Sequence, residues 1–117
     1  MAVAKPINLP EAGVALAEKP DSEPELARHF LYYMLLMRVV EERIERKLYR
    51  QGKIVGGVYV GRGQEAICAA AGLVAEPDDF LFPSHRDLCL YFIRGVHPRE
   101  VFAQYMGRVG GLTRGKD

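Results

Sequence analysis

From Ser22 to Arg50 the chain carries one unbroken helical pattern, and no other stretch restricts the fold as strongly. Ser22-Glu23-Pro24-Glu25 combines an N-cap residue, a proline in the first turn and two early acids, the set that opens a helix. Leu26, Phe30, Tyr33, Met37, Val40, Ile44 and Leu48 then recur at steps of three or four, which predicts a helix of about 40 Å. Gly52 stands just past its expected end, and Lys47, Arg50 and Lys53 complement the C-terminal dipole. Between Phe30 and Val40 only Arg38 is charged, so the middle is apolar nearly all round and calls for cover on several sides. A chain of 117 residues has little with which to supply that cover. More protein, from the same polypeptide or another, is therefore expected to pack there. Glu42 and Arg46 form an i, i+4 pair worth only tenths of a kcal/mol.

Composition bounds the rest. The length suits one domain with a modest core. With 49% hydrophobic and 26% charged residues and a formal net charge of +1, nothing points to nucleic acid or an anionic membrane as partner. The two cysteines, Cys68 and Cys89, lie in apolar surroundings without a second pair, which favours buried reduced thiols over a disulfide framework or zinc site. No run approaches the length of a membrane span, and the first ten residues lack a signal-peptide core, so no export or insertion is predicted and a cytoplasmic location is expected. Residues 1–22, with Pro6, Pro10 and Pro20 and no period of 2 or 3.6, read as an extended, flexible N-terminal arm ahead of a folded unit at 23–117.

Beyond the long helix, Lys53 to Ala66 holds a short β-branched run punctuated by Gly56, Gly57, Gly61 and Gly63. Such glycines permit positive φ or close backbone approach. The pattern is not a nucleotide loop, since a third glycine at the required spacing and a Lys-Ser or Lys-Thr pair are missing. Gln64 to Val74, rich in alanine, predicts a closely packed helix, with Glu65 in its first turn; an acid there usually serves the dipole, with a general base as the less favoured alternative. Glu76-Pro77-Asp78-Asp79 is a turn, and Phe80-Leu81-Phe82 reads as a short buried segment. Ser84 and Asp87 resemble a capping box, which predicts a helix from His85 to Arg94 with His85 and Arg86 in its first turn and Gly95 as its C′ residue. Two basic side chains beside the unpaired N–H groups of a helix start would suit a phosphate; the plainer reading is a capped surface helix. His97-Pro98-Arg99-Glu100 opens another helix with His97 as cap, and the glycines and basic residues from Gly107 to Lys116 read as a flexible basic tail. The segment is thus predicted to be predominantly α-helical with little strand.

The ordered blocks Met37-Arg38, Gly-Arg-Gly-Gln-Glu-Ala66, Ser-His-Arg-Asp87, Arg94-Gly95 and Gly-Arg-Val-Gly-Gly-Leu-Thr-Arg-Gly-Lys116 resemble the alpha subunit of the thiamin-diphosphate-dependent 2-oxo acid dehydrogenases, the pyruvate, branched-chain 2-oxo acid and acetoin type. The similarity runs from about residue 25 to the end, and it rests on order and spacing. It implies an α/β thiamin-diphosphate-binding fold in the full-length family, of which this segment would be the N-terminal part. It also implies that His85 and Arg86 grip the cofactor's diphosphate, and that Tyr59 stands where the family often has a substrate-side histidine. At His85 the family commonly has tyrosine. Implied partners are a beta subunit, in a heterotetramer, and a lipoyl-bearing acyltransferase.

The family's magnesium motif, Gly-Asp-Gly followed by Asn, does not occur in these residues, so the resemblance implies thiamin diphosphate and Mg2+ as cofactors with the metal ligands absent from this chain. The acid that activates the cofactor belongs, in the family, to the beta subunit, so no catalytic residue is assigned here. Two functions follow as expectations: a part of the decarboxylating component that passes an acyl group from a 2-oxo acid to a lipoyl acceptor, inactive by itself, or a noncatalytic helical interaction module.

Overall fold

The computed structural model describes residues 12–16 and 19–116. Helix α1 spans Glu23–Arg43 and continues without a break into a π-helical stretch, Ile44–Tyr49. The predicted run to about Arg50 is therefore present, but its last turns are wider than α. At its end Gly52, at φ +66°, donates to the Tyr49 carbonyl while Lys53 donates to that of Leu48, the paired bonds of a Schellman stop. Helix α2 spans Glu65–Val74, α3 Leu88–Ile93 and α4 Pro98–Tyr105. Among the described residues no sheet forms, and the only bridge joins Ala15 to Arg94. The predominantly helical reading holds.

One face of α1 supplies Tyr33, Met37 and Val40, joined by Ile44, to a core completed by Cys68, Ala69 and Leu73 of α2 and Leu88, Cys89, Phe92 and Ile93 of α3. The small residues of α2 have the expected consequence: a Cβ at Gly72 would lie 2.4 Å from Cδ1 of Ile93, so α3 packs directly on the α2 backbone. The opposite face of α1 is left open, with Leu31, Leu35 and Val39 all more than half exposed. Expected cover on several sides is thus supplied on one.

The arm expected at 1–22 falls mostly on residues 1–11 and 17–18, which lie outside the described residues. Its described part is tied to the end of α3, where Leu16 donates to the Ile93 carbonyl at 2.9 Å. Phe80-Leu81-Phe82 corrects the expectation of a buried segment: Phe80 is 89% and Phe82 92% exposed. Burying an extended segment needs neighbouring strands, and no strand is formed among the described residues. The glycine-rich stretch after α4 is also no free tail. The Gln104 side chain donates to Thr113 Oγ1 and the Lys116 carbonyl and accepts from the Thr113 and Gly115 amides, folding the stretch back onto α4.

Candidate functional site

The turn from Ser84 to Asp87 and the loop from Tyr59 to Gly63 meet over the junction of α1 and α2. Ser84 and Asp87 make the reciprocal bonds of a capping box: the Asp87 carboxylate accepts from the Ser84 amide at 2.9 Å and from its hydroxyl at 2.7 Å. The Ser84 hydroxyl in turn accepts from the Arg86 amide at 3.2 Å. Yet α3 begins only at Leu88, with Asp87 as its N-cap. The four residues close on themselves, so the helix starts one turn later than the sequence predicts, and its first residues, Leu88 and Cys89, are buried in the core. His85 and Arg86 are consequently on a turn, outside the helix, and the expectation that helix N–H groups assist them is corrected.

What holds Arg86 is the neighbouring loop. Its Nε donates to the Val60 carbonyl at 3.1 Å, while among the described residues its two terminal nitrogens make no hydrogen bond. The side chain is exposed. A guanidinium held at Nε keeps its two terminal nitrogens as donors for a planar or tetrahedral oxyanion. Beside it, the rings of Tyr59 and His85 meet edge to face with centroids 5.6 Å apart. The three candidate residues, Tyr59, His85 and Arg86, are therefore brought to one corner. A cavity of about 630 Å³ opens beside Tyr59 and His85, walled also by Tyr91, Gln104, Tyr105 and Lys116; Arg86 does not line it.

Gly61 makes this junction possible. A Cβ there would lie 2.0 Å from the Arg86 carbonyl oxygen and 2.5 Å from Cε of Met37, so only glycine lets loop and turn touch. The Gly61 amide donates at 2.7 Å to Oε1 of Glu41, which projects from α1 and is 1% exposed. Burial pushes the Glu41 carboxyl above its ordinary range, against the Gly61 bond that lowers it. The sequence does not single out Glu41 among its neighbouring acids, although a signal exists: it falls four residues after Met37 and eight after Tyr33, on the buried stripe. The Val60 carbonyl leaves no sequence signal at all.

The other groups nearby are structural. Glu65 receives Arg38 Nε and Nη2, each at 2.6 Å, and the Gly63 amide at 2.8 Å, so it bonds α2 to α1 and serves as support. Burial raises its carboxyl, but these bonds outweigh burial and hold it below its ordinary value. The Cys68 thiol is pushed up to about 12 by burial and by its bond to Asp87, so it is no nucleophile at neutral pH. Both cysteines are free and buried, as expected. Arg94 bonds the carbonyls of Glu76, Pro77 and Asp79 and thereby fastens that turn. His97 caps α4, accepting from the Arg99 amide at 3.0 Å. Among the described residues no three His, Cys, Asp or Glu side chains gather to hold a metal ion, and no helix is long and apolar enough to cross a membrane.

The sequence model of a family described as "Dehydrogenase E1 component" matches residues 32–117, well over half of the chain. The chain belongs to this E1 component family. Among curated relatives of the E1 family, the "Pyruvate dehydrogenase E1 component subunit alpha" of Rickettsia bellii (strain RML369-C) is 37% identical over 83 residues, covering 71% of this chain and 25% of that protein. The same figures hold for the protein of that name from Rickettsia prowazekii (strain Madrid E). The human "Pyruvate dehydrogenase E1 component subunit alpha, somatic form, mitochondrial" is 36% identical over 88 residues, 73% of this chain and 22% of its own. The chain thus spans about a quarter of the length of these E1 alpha relatives. No solved structure matches it.

Proposed function

We propose that this chain is the cofactor-gripping part of an E1 alpha subunit that, with its beta partner, oxidatively decarboxylates a 2-oxo acid and passes the acyl group to a lipoyl-bearing acyltransferase. Arg86 and His85 hold the diphosphate of thiamin diphosphate, and Tyr59 stands on the substrate side. The observation that carries this reading is the exposed guanidinium of Arg86, held at Nε by the Val60 carbonyl next to the Tyr59–His85 ring pair.

The residues present suit a diphosphate: an oriented guanidinium, an imidazole and an adjoining cavity with aromatic walls. Among the described residues no cluster of His, Cys, Asp or Glu is placed to hold magnesium, and none is assigned to it. When bound, thiamin diphosphate supplies the nucleophilic carbon and electron sink that decarboxylation of a 2-oxo acid requires. Arg86 would neutralise phosphate charge through its two terminal nitrogens. His85 would donate a ring N–H to a phosphate oxygen. The Tyr59 ring packs on His85 and offers its hydroxyl to the substrate. No proton-transferring acid is assigned among these residues, and turnover by this chain alone is not expected. The free, buried thiols accord with a cytoplasmic setting.

A second reading, a noncatalytic helical interaction module, draws on the open face of Leu31, Leu35 and Val39. One experiment separates the two. The complete subunit, co-expressed with its beta partner, is given thiamin diphosphate, magnesium, a lipoyl domain and in turn pyruvate, branched-chain 2-oxo acids and acetoin. Cofactor-dependent acylation of the lipoyl group is expected with one of them. Absence of both cofactor binding and acylation would overturn the enzymatic reading.

A further inference from the structure

The buried carboxylate of Glu41 is used by none of the roles above. It differs from Glu65, its neighbour in the same core, whose two oxygens are both engaged by Arg38 and the Gly63 amide. Of the two Glu41 oxygens, Oε1 accepts from the Gly61 amide and Oε2 is buried with no hydrogen-bond partner among the described residues. Burying a carboxylate is costly, and an apolar residue of similar volume would serve a core better. The return on that cost lies in what the Gly61 amide controls. Val60, one residue back, offers the carbonyl that fixes Arg86, Tyr59 packs on His85, and Gly61 itself lies against the Arg86 carbonyl. One charge-assisted hydrogen bond therefore sets the loop on which the direction of the guanidinium depends.

We propose that Glu41 is a positioning residue for the anion-binding corner, holding the Gly61 amide so that the Val60 carbonyl aims Arg86 at the diphosphate. This deepens the proposed function and rests on it. A double-mutant cycle separates positioning from mere support. Glu41→Met keeps volume and removes the acceptor; Glu41→Gln keeps a neutral, weaker acceptor. Each is made alone and with Arg86→Ala in the complete alpha subunit bound to its beta partner, and titrated calorimetrically with thiamin diphosphate and magnesium, with melting temperature as the fold control.

Glu41→Met is expected to weaken binding about five- to twentyfold, Glu41→Gln about two- to fivefold. In the Arg86→Ala background each loss should shrink to less than about twofold, because the group being aimed is gone. Should Glu41→Met fail to assemble, the Glu41→Gln pair carries the same test. Losses that add in the double variants, or parent-like affinity in both Glu41 variants, would overturn the inference while leaving the cofactor assignment standing. If Arg86→Ala alone binds as tightly as the parent, the cofactor assignment falls, and this inference with it.

Discussion

Two corners of the molecule carry the same sequence device, an N-cap side chain with an acid three residues on, and they fold differently. At His97-Pro98-Arg99-Glu100 the device opens a helix where it stands: His97 accepts from the Arg99 amide, Glu100 accepts from the His97 amide at 2.8 Å, and α4 begins at Pro98. At Ser84-His85-Arg86-Asp87 the reciprocal bonds are again present, but the helix waits until Leu88. Proline explains part of the difference, since Pro98 sits inside the first turn with φ already set for helix, whereas Pro83 lies ahead of the cap and presets no residue of the turn. The second part is tertiary. Arg86 is drawn to the Val60 carbonyl and its own carbonyl lies against Gly61, which holds the turn out of the helix. A cap satisfied locally is a fold element; a cap tied to a distant loop leaves its middle residues available for binding.

If that contrast is right, damage at the first corner should reach ligand affinity and damage at the second should stop at stability. The largest effect is expected for Gly61→Ala, whose methyl would overlap the Arg86 carbonyl. Overpacking against backbone should cost about 3 kcal/mol and abolish measurable cofactor binding, read by thermal melting and calorimetry of the complete subunit pair. Next comes Asp87→Ala, which removes the acceptor of both Ser84 bonds. It should cost about 1 to 2 kcal/mol and also weaken cofactor affinity about threefold to tenfold. His97→Ala should cost about 1 kcal/mol in melting and leave affinity unchanged. A binding loss there as large as that of Asp87→Ala would erase the distinction between the corners.

The smallest effect is one of pH. Burial raises the Asp87 carboxyl, but bonds from the Ser84 hydroxyl and amide, the Cys68 thiol and the charge of Arg86 outweigh it and hold the group below its ordinary range. A carboxyl depressed in the folded state contributes stability that is complete above its unfolded value and is lost as pH falls through the folded one. Urea denaturation below about pH 4 should therefore show a steeper acid loss for the parent than for Asp87→Asn. Equal slopes would mean the turn bonds are not what depresses the group.

Much of this fold was legible in the sequence because its information is local. The spacing from Leu26 to Leu48 with Pro24 at its head marks α1, and Gly52 and Gly95 mark helix ends through the positive φ that both adopt. What escaped depends on partners far along the chain. Composition showed that cover for the middle of α1 would run short, but not which side chains would be left exposed: Leu31, Leu35 and Val39. The folding of the Gly107–Lys116 stretch rests on the Gln104 amide meeting backbone groups that no short pattern announces. At the site, the side chains Tyr59, His85 and Arg86 could be named from resemblance, whereas the parts that orient them, a carbonyl at Val60 and a carboxylate at Glu41, have no local signature beyond an acid on an apolar stripe.

The role of Arg86 is the point on which the rest depends, and calorimetric titration of the complete alpha and beta subunit pair with thiamin diphosphate and magnesium addresses it directly. A charge-assisted contact is worth about 1.5 to 3 kcal/mol, so Arg86→Ala should lower affinity about ten- to a hundredfold with the melting temperature little changed. Arg86→Lys should fall between the two, keeping charge without the planar fork, and His85→Tyr should be tolerated. Parent-like affinity for a folded Arg86→Ala subunit would contradict the assignment and reduce the turn from Ser84 to Asp87 to the cap of a short helix.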